Sequence, residues 1–254
     1  LRHRVNVSVQ RAEQKGGPGR CGEQSCGDSL RRSIAFRYFS AVPHIRAAFC
    51  LLTAATIAAC NRGPRISIPV PGERPLAAYA TERVVLVPAG GARFDSLGWA
   101  TQLGGAASTA RRLDTLIVAK LSERAVGARW VLPAELWRAY ERNRSYAPDP
   151  YQLAVNALRL PTFVAASRYG EPLASQLRTT IALHDDARVV LVPVEVRFER
   201  ASASAGRAIL RAALLDARLT EARWVGDVQS DTTSVPARAL ESVAARLADL
   251  FLAP

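Results

Sequence analysis

The sequence predicts an α/β (α+β) fold: a mixed sheet of about five strands that includes a C-terminal β-hairpin, covered by helices, with one more helix at the C-terminus. Three observations carry this. The run "RVVLVP" occurs twice, at residues 83–88 and 188–193, and short β-branched runs closed by proline have the texture of strands buried on both faces. Several intervening segments place apolar residues at i, i+3, i+4 and i+7, the spacing of an amphipathic helix. Finally, "RAILRAALLDAR" and "ARWVGDVQS" are separated only by "LTE", which reads as a hairpin. A chain of 254 residues, 49% hydrophobic and 22% charged, is long enough for one sizeable core or two small ones.

Taken in order, residues 83–88 give the first strand, and the glycine-rich "AGGARFDSLG" after it reads as a surface loop. A helix is expected over residues 109–124, where Leu113, Leu116, Ile117 and Leu121 share a face and Gly127 follows the end. "RWVLP" gives a second short strand. Pro133 then opens a helix to about Arg142, Asp149 and Pro150 open another to Leu158, and Pro172 starts one that ends near His184. The second "VVLVP" continues as "VEVRFE", a long strand in which Val190, Val192, Val194, Val196 and Phe198 are expected on one face while the other turns polar from Glu195. After the hairpin, Ser234 is the expected cap of the last helix. Leu240, Val243, Ala244, Leu247, Leu250 and Phe251 form its apolar stripe.

The repeated hexapeptide raises the question of duplication. Its two copies lie 105 residues apart and their flanks do not repeat, far from any solenoid period, so one sheet with two similar strands is the expectation.

The segment "HIRAAFCLLTAATIAAC", residues 44–60, carries an address. Arg46 supplies a positive n-region and the 13 residues that follow it are uncharged. At about 1.5 Å per residue such a run spans ~20 Å, short of the ~30 Å hydrocarbon layer, so it reads as a secretory h-region and not a membrane span. Ile57, Ala58, Ala59 and Cys60 resemble the lipobox of bacterial lipoproteins. The resemblance implies that these small side chains admit a lipoprotein signal peptidase to the Ala59–Cys60 bond, and that the Cys60 thiol then takes a diacylglyceryl group as a stable thioether. The expected organisation is a disordered or untranslated extension over 1–41, a signal peptide over 42–59 with Val42 as an alternative start, a lipidated cysteine with a proline-rich tether over 60–81, and a periplasmic domain over 82–254. Cys21, Cys26 and Cys50 would then be absent from the mature chain, leaving Cys60, blocked by lipid, as its one thiol. Pro64, Pro69, Pro71 and Pro75 favour extended backbone in the tether. Asn61 after the cysteine, in place of the aspartate that signals inner-membrane retention, points to the periplasmic face of the outer membrane.

A net charge of +12 would ordinarily suggest nucleic acid. The basic residues are almost all arginine, with only Lys15 and Lys120, and after residue 59 no basic run is longer than Arg111 and Arg112. From Cys60 onward there are 25 basic and 19 acidic side chains, which leaves +6 and removes half of the charge with the signal segment. No nucleic-acid partner is expected.

The strands "RVVLVPAGG" and "RVVLVPVEVRFE", the strand and helix start "GARWVLPAEL", and the hairpin "LLDARLTEARWVGDV" together resemble the envelope α/β domains of the TolB amino-terminal region, the curli-secretion lipoprotein CsgG and the penicillin-binding-protein activator LpoB. The resemblance is one of pattern over residues 82–251. It implies an envelope binding domain without a catalytic signature. Residues 207–228 alternate, but Arg207, Arg211, Arg218 and Arg223 and the lack of aromatic girdles favour a sheet hairpin over a membrane-spanning one.

Candidate chemistry is sparse. His184 would be the sole histidine of the mature chain, next to Asp185 and Asp186, and no G-x-S-x-G elbow accompanies it. The Gly90 and Gly91 loop lacks the lysine and hydroxyl of a phosphate loop. Trp130, Trp137 and Trp224 read as core or rim residues. No catalytic, cofactor or metal residues are expected. The expected function is a lipid-anchored, non-enzymatic adaptor for an envelope protein or peptidoglycan, of open oligomeric state. The alternatives are an envelope hydrolase and a secretion-pore subunit.

Overall fold

The computed structural model describes residues 68–69, 72–95, 98–184 and 187–252. Five strands, β1 (Val84–Leu86), β2 (Ala92–Phe94), β3 (Val189–Arg200), β4 (Gly206–Asp216) and β5 (Glu221–Gln229), form one mixed sheet. The described residues also form five α-helices: α1 (Trp99–Leu103), α2 (Gly105–Glu123), α3 (Pro133–Arg142), α4 (Leu173–Ala182) and α5 (Pro236–Asp249). The α/β class, the hairpin and the C-terminal helix therefore stand as the sequence predicts.

The sheet runs β1, β3, β4, β5, with β2 also on β3. The two "VVL" copies are direct neighbours: Val84, Val85 and Leu86 lie in parallel register opposite Val189, Val190 and Leu191. A strand flanked by other strands and roofed by helices on both faces can only be apolar throughout, and each copy meets that requirement. Beyond β1 the chain loops away and returns as β2, which pairs in parallel with the far half of β3 through Ala92↔Val196 and Phe94↔Phe198. The glycine-rich stretch expected as a surface loop thus contributes a strand. It is held there by Phe94 stacked on Phe198 at 5.0 Å and by Trp99 edge-on to Phe198 at 5.7 Å.

Both faces of the sheet are covered. One carries Val84, Leu86, Leu191, Phe198, Leu210, Leu214 and Trp224 beneath Leu113 and Ile117 of α2 and Leu240, Val243 and Leu247 of α5. The other carries Val85, Val190, Val192, Val194, Leu215 and Val225 beneath Leu136 of α3, Leu158, and Leu173 and Leu177 of α4. The apolar stripe of α5 is buried as its spacing predicts, through Leu250 and Phe251.

Six local expectations are corrected. Val196 and Phe198 do not share a face with Val190, Val192 and Val194, because the register against β4 shifts between Pro193 and Glu195. This β-bulge inserts one residue, and every side chain after it changes face. "RWVLP" contributes a single bridge, Val131 to Val85, since Pro133 starts a helix at once. The helix expected from Asp149 to Leu158 is a turn followed by a 3₁₀ segment, Val155–Arg159. There the Asp149 carboxylate accepts from Tyr151 N–H at 2.9 Å and from Gln152 Nε2 at 3.0 Å, competing with helix formation. The residue preceding α5 is Val235 with no side-chain cap; its N–H bonds Thr233 Oγ1 at 3.1 Å, so Ser234 is not the cap. The long second helix starts at Gly105, ahead of residue 109, after Gly104 turns left-handed (φ 75°) between α1 and α2. Packing also begins before residue 82: Leu76 is fully buried and its N–H bonds Leu250 O at 3.1 Å, so the last residues assigned to the tether belong to the core.

Candidate functional site: the charged end of the sheet

The bulge decides where charge can gather. Before it, the face roofed by α3 and α4 is apolar; after it, Glu195, Arg197 and Glu199 of β3 point to that side, beside Arg93 of β2, Arg207 and Arg211 of β4 and Asp227 of β5. The 3₁₀ segment and the loop after it cover only the inner edge of this region. Arg211, its side chain 3% exposed, donates from Nε to Leu158 O at 2.7 Å and from Nη2 to Leu160 O and Phe163 O at 2.8 Å each. Its Nη1 stands 3.4 Å from Asp227 Oδ1. A buried guanidinium needs such complete pairing, and here it pins an irregular segment onto the sheet.

Outward from Arg211 the network opens to solvent. Arg197 donates to Asp227 at 2.7 Å and to Glu199 at 3.1 Å, and Arg207 reaches Glu199 at 3.2 Å. Burial opposes the charged form of Arg197, but Asp227 and Glu199 outweigh it and hold the guanidinium charged. Glu195 is shared by Arg93 and Arg159, each 3.6 Å away. Arg93 is 73% exposed. Five arginines, four on strands and Arg159 on the 3₁₀ segment, therefore face three carboxylates at this end of the sheet.

A second network lies where β4 turns into β5. The buried Asp216 takes Arg188 at 2.7 Å and Arg223 at 2.8 Å, and accepts the N–H groups of Arg218 and Leu219. Burial raises its pKa, yet the bonds from Arg223, Leu219 and Arg188 prevail and hold it below the usual carboxylate range. This arrangement closes the hairpin turn.

Asp114 of α2 is a third unusual group. Its Oδ1 accepts Ala89 N–H at 2.7 Å, while the buried Oδ2 has no hydrogen-bond partner. Burial pushes its carboxyl up to about 7, against the lowering effect of the Ala89 bond.

The residues singled out in the sequence are placed as follows. Ile57, Ala58, Ala59 and Cys60 lie outside the described residues, as do Asp185, Asp186 and the remaining cysteines. His184 borders two clefts, one lined by Glu135, Arg138, Arg142 and Leu183 and the other by residues that include Tyr140, Pro148 and Thr180; among the described residues no serine lines either. Trp130 and Trp224 are buried, and Trp137 packs against Tyr140 and Tyr151 at the rim. A cleft of about 410 Å³ lies between Ile68, Pro69, Gly72 and Arg74 on one side and the end of α5 on the other, with Arg74 Nη1 bonded to Asp249 O at 2.8 Å across it. Among the described residues no helix is long and apolar enough to cross a membrane, and no three His, Cys, Asp or Glu side chains gather to hold a metal ion.

The charged platform was only half legible in the sequence. The alternation of "VEVRFE" shows a polar face from Glu195, but the roof over Arg211 and the pairing with Asp227 arise from segments 16 to 53 residues away. Compared with protein-family models, with curated proteins and with solved structures, the chain matches none.

Proposed function

We propose that this protein is a lipid-anchored, non-enzymatic binding module of the bacterial envelope, an adaptor held at the periplasmic face of the outer membrane through acylated Cys60. The observation that carries the binding half is the open charged end of the sheet, where Arg93, Arg197 and Arg207 are presented to solvent by hydrogen-bonded strands. Side chains fixed by ion pairs on strands lose little entropy on binding, which suits recognition of an envelope protein or of peptidoglycan. The anchoring half rests on Ile57, Ala58, Ala59 and Cys60. Acyl chains contribute ~0.8 kcal/mol per buried methylene, so a multiply acylated Cys60 would be held essentially permanently.

The two halves have separate tests. Cys60→Ala should abolish incorporation of labelled palmitate and move the chain to the soluble fraction or stall it as precursor; unchanged membrane partition sinks the anchor. In crosslinking to envelope components, the full chain should lose its partner when Arg207 is replaced by Glu. An identical crosslinked set would remove the charged platform from the reading.

A further inference from the structure

We propose that the free edge of β2 accepts an extended acidic segment of a partner protein as an added strand, its carboxylates set against Arg93 and Arg159. The proposal deepens the binding-module reading and rests on it.

Val196 N–H bonds Gly91 O at 3.0 Å, so Gly91 faces β3, and the two-residue period of a strand turns Arg93 the same way. The N–H and C=O groups of Ala92 and Phe94 then point away from β3. Among the described residues no backbone group pairs with them. An edge of this kind is a template for another strand. On the opposite edge of the sheet the start of β5 is already taken, Ala222 being paired with Ala166 and Ser167 through 2.7 and 2.8 Å bonds.

Charge then selects the strand. Arg93 lies directly opposite Arg197 in the ladder, a like-charge pair that costs stability unless anions flank it. Arg197 has Asp227 and Glu199, whereas among the described residues Arg93 has only Glu195, which it shares with Arg159. The deficit lies on the outer side of Arg93, the side an added strand would occupy. A carboxylate on that strand, in cross-strand position to Arg93, meets a planar donor suited to bidentate pairing. The outward amides and carbonyls favour a polypeptide over an acidic glycan, which has no backbone with matching periodicity.

The probe is a labelled, capped peptide, Thr-Glu-Val-Glu-Val-Glu-Thr, titrated into the full-length chain by fluorescence anisotropy at low salt, beside a counterpart with Gln for each Glu. The acidic peptide should bind and the Gln peptide should bind about tenfold more weakly. Ala92→Pro removes an edge donor that β3 does not use, so it should weaken binding about tenfold while leaving the thermal midpoint unchanged. Arg93→Gln should weaken it by a similar factor without touching the edge. No saturable binding of the acidic peptide, equal binding of the Gln peptide, or undiminished binding to folded Ala92→Pro would each overturn the proposal. So would displacement by a sulfated glycan whose own binding survives Ala92→Pro. If the proline variant does not fold, Arg93→Gln and the Gln peptide still decide. These failures are distinct from failure of the adaptor reading, which is judged on Cys60 and on crosslinking in envelopes.

Discussion

Arg211 and Asp227 lie directly opposite each other on β4 and β5, and their side chains meet at 3.4 Å beneath the carbonyl oxygens of Leu158, Leu160 and Phe163. One side chain thus couples the hairpin to the segment that roofs it. Removing it would strand three carbonyls and weaken the hold on a buried carboxylate. Arg211→Leu is expected to cost about 3 to 5 kcal/mol. Urea melts followed by circular dichroism would show this, and an unchanged midpoint would mean that water replaces the guanidinium without loss.

Asp114 makes stability depend on pH with an unusual sign. Its folded pKa of about 7 lies above its ordinary 3.8, so between these values the folded state holds a proton that the unfolded state has lost. Stability therefore falls as pH rises through this window and levels off above about 7, by up to about 4 kcal/mol. Asp114→Asn keeps an acceptor for Ala89 N–H and removes the charge. It should flatten the profile between pH 4 and 7, as read from denaturant midpoints, and be the more stable form at pH 8.

Gly90 sits where the chain leaves β1 beside the bulge. A Cβ there would lie 2.6 Å from Val194 O and 3.0 Å from a Val155 methyl, and the nearer obstacle is backbone. Gly90→Ala should cost about 1 to 3 kcal/mol, since the bulge itself must move. Amide exchange at Val194 and Glu195 should quicken in the same variant. A wild-type midpoint would show that the loop yields instead.

Leu247 is wholly buried between α5 and the sheet. Leu247→Ala is expected to cost about 2 to 5 kcal/mol. An unaltered urea midpoint would refute the packing role.

The domain's beginning is open to a similar comparison. A chain starting at residue 82 lacks Leu76 and its bond to Leu250, whereas one starting at 72 keeps both. The shorter chain should be less stable by about 2 to 5 kcal/mol. Equal midpoints would mean that the Leu76 site closes without penalty.

Local period and composition suffice for the α/β class, the two buried "VVL" strands, the hairpin, α3 and α4 to within two residues, and the apolar stripe of α5. These follow because a buried strand or an amphipathic helix must write its surroundings into its own residues. The tertiary structure decided what depends on partners distant in sequence. That the two copies of "VVL" lie side by side depends on pairing residues 105 positions apart, which no local window contains. The bulge after Pro193 reversed the facing of Val196 and Phe198 although their alternation with Val190 is unbroken in sequence, because one inserted residue costs nothing in pattern and shifts everything beyond it. The same shift put Glu195 and Arg197 beside Arg93, Arg211 and Asp227. A charged platform is built from residues that would each be ordinary surface alone, and only the sheet's register brings them together.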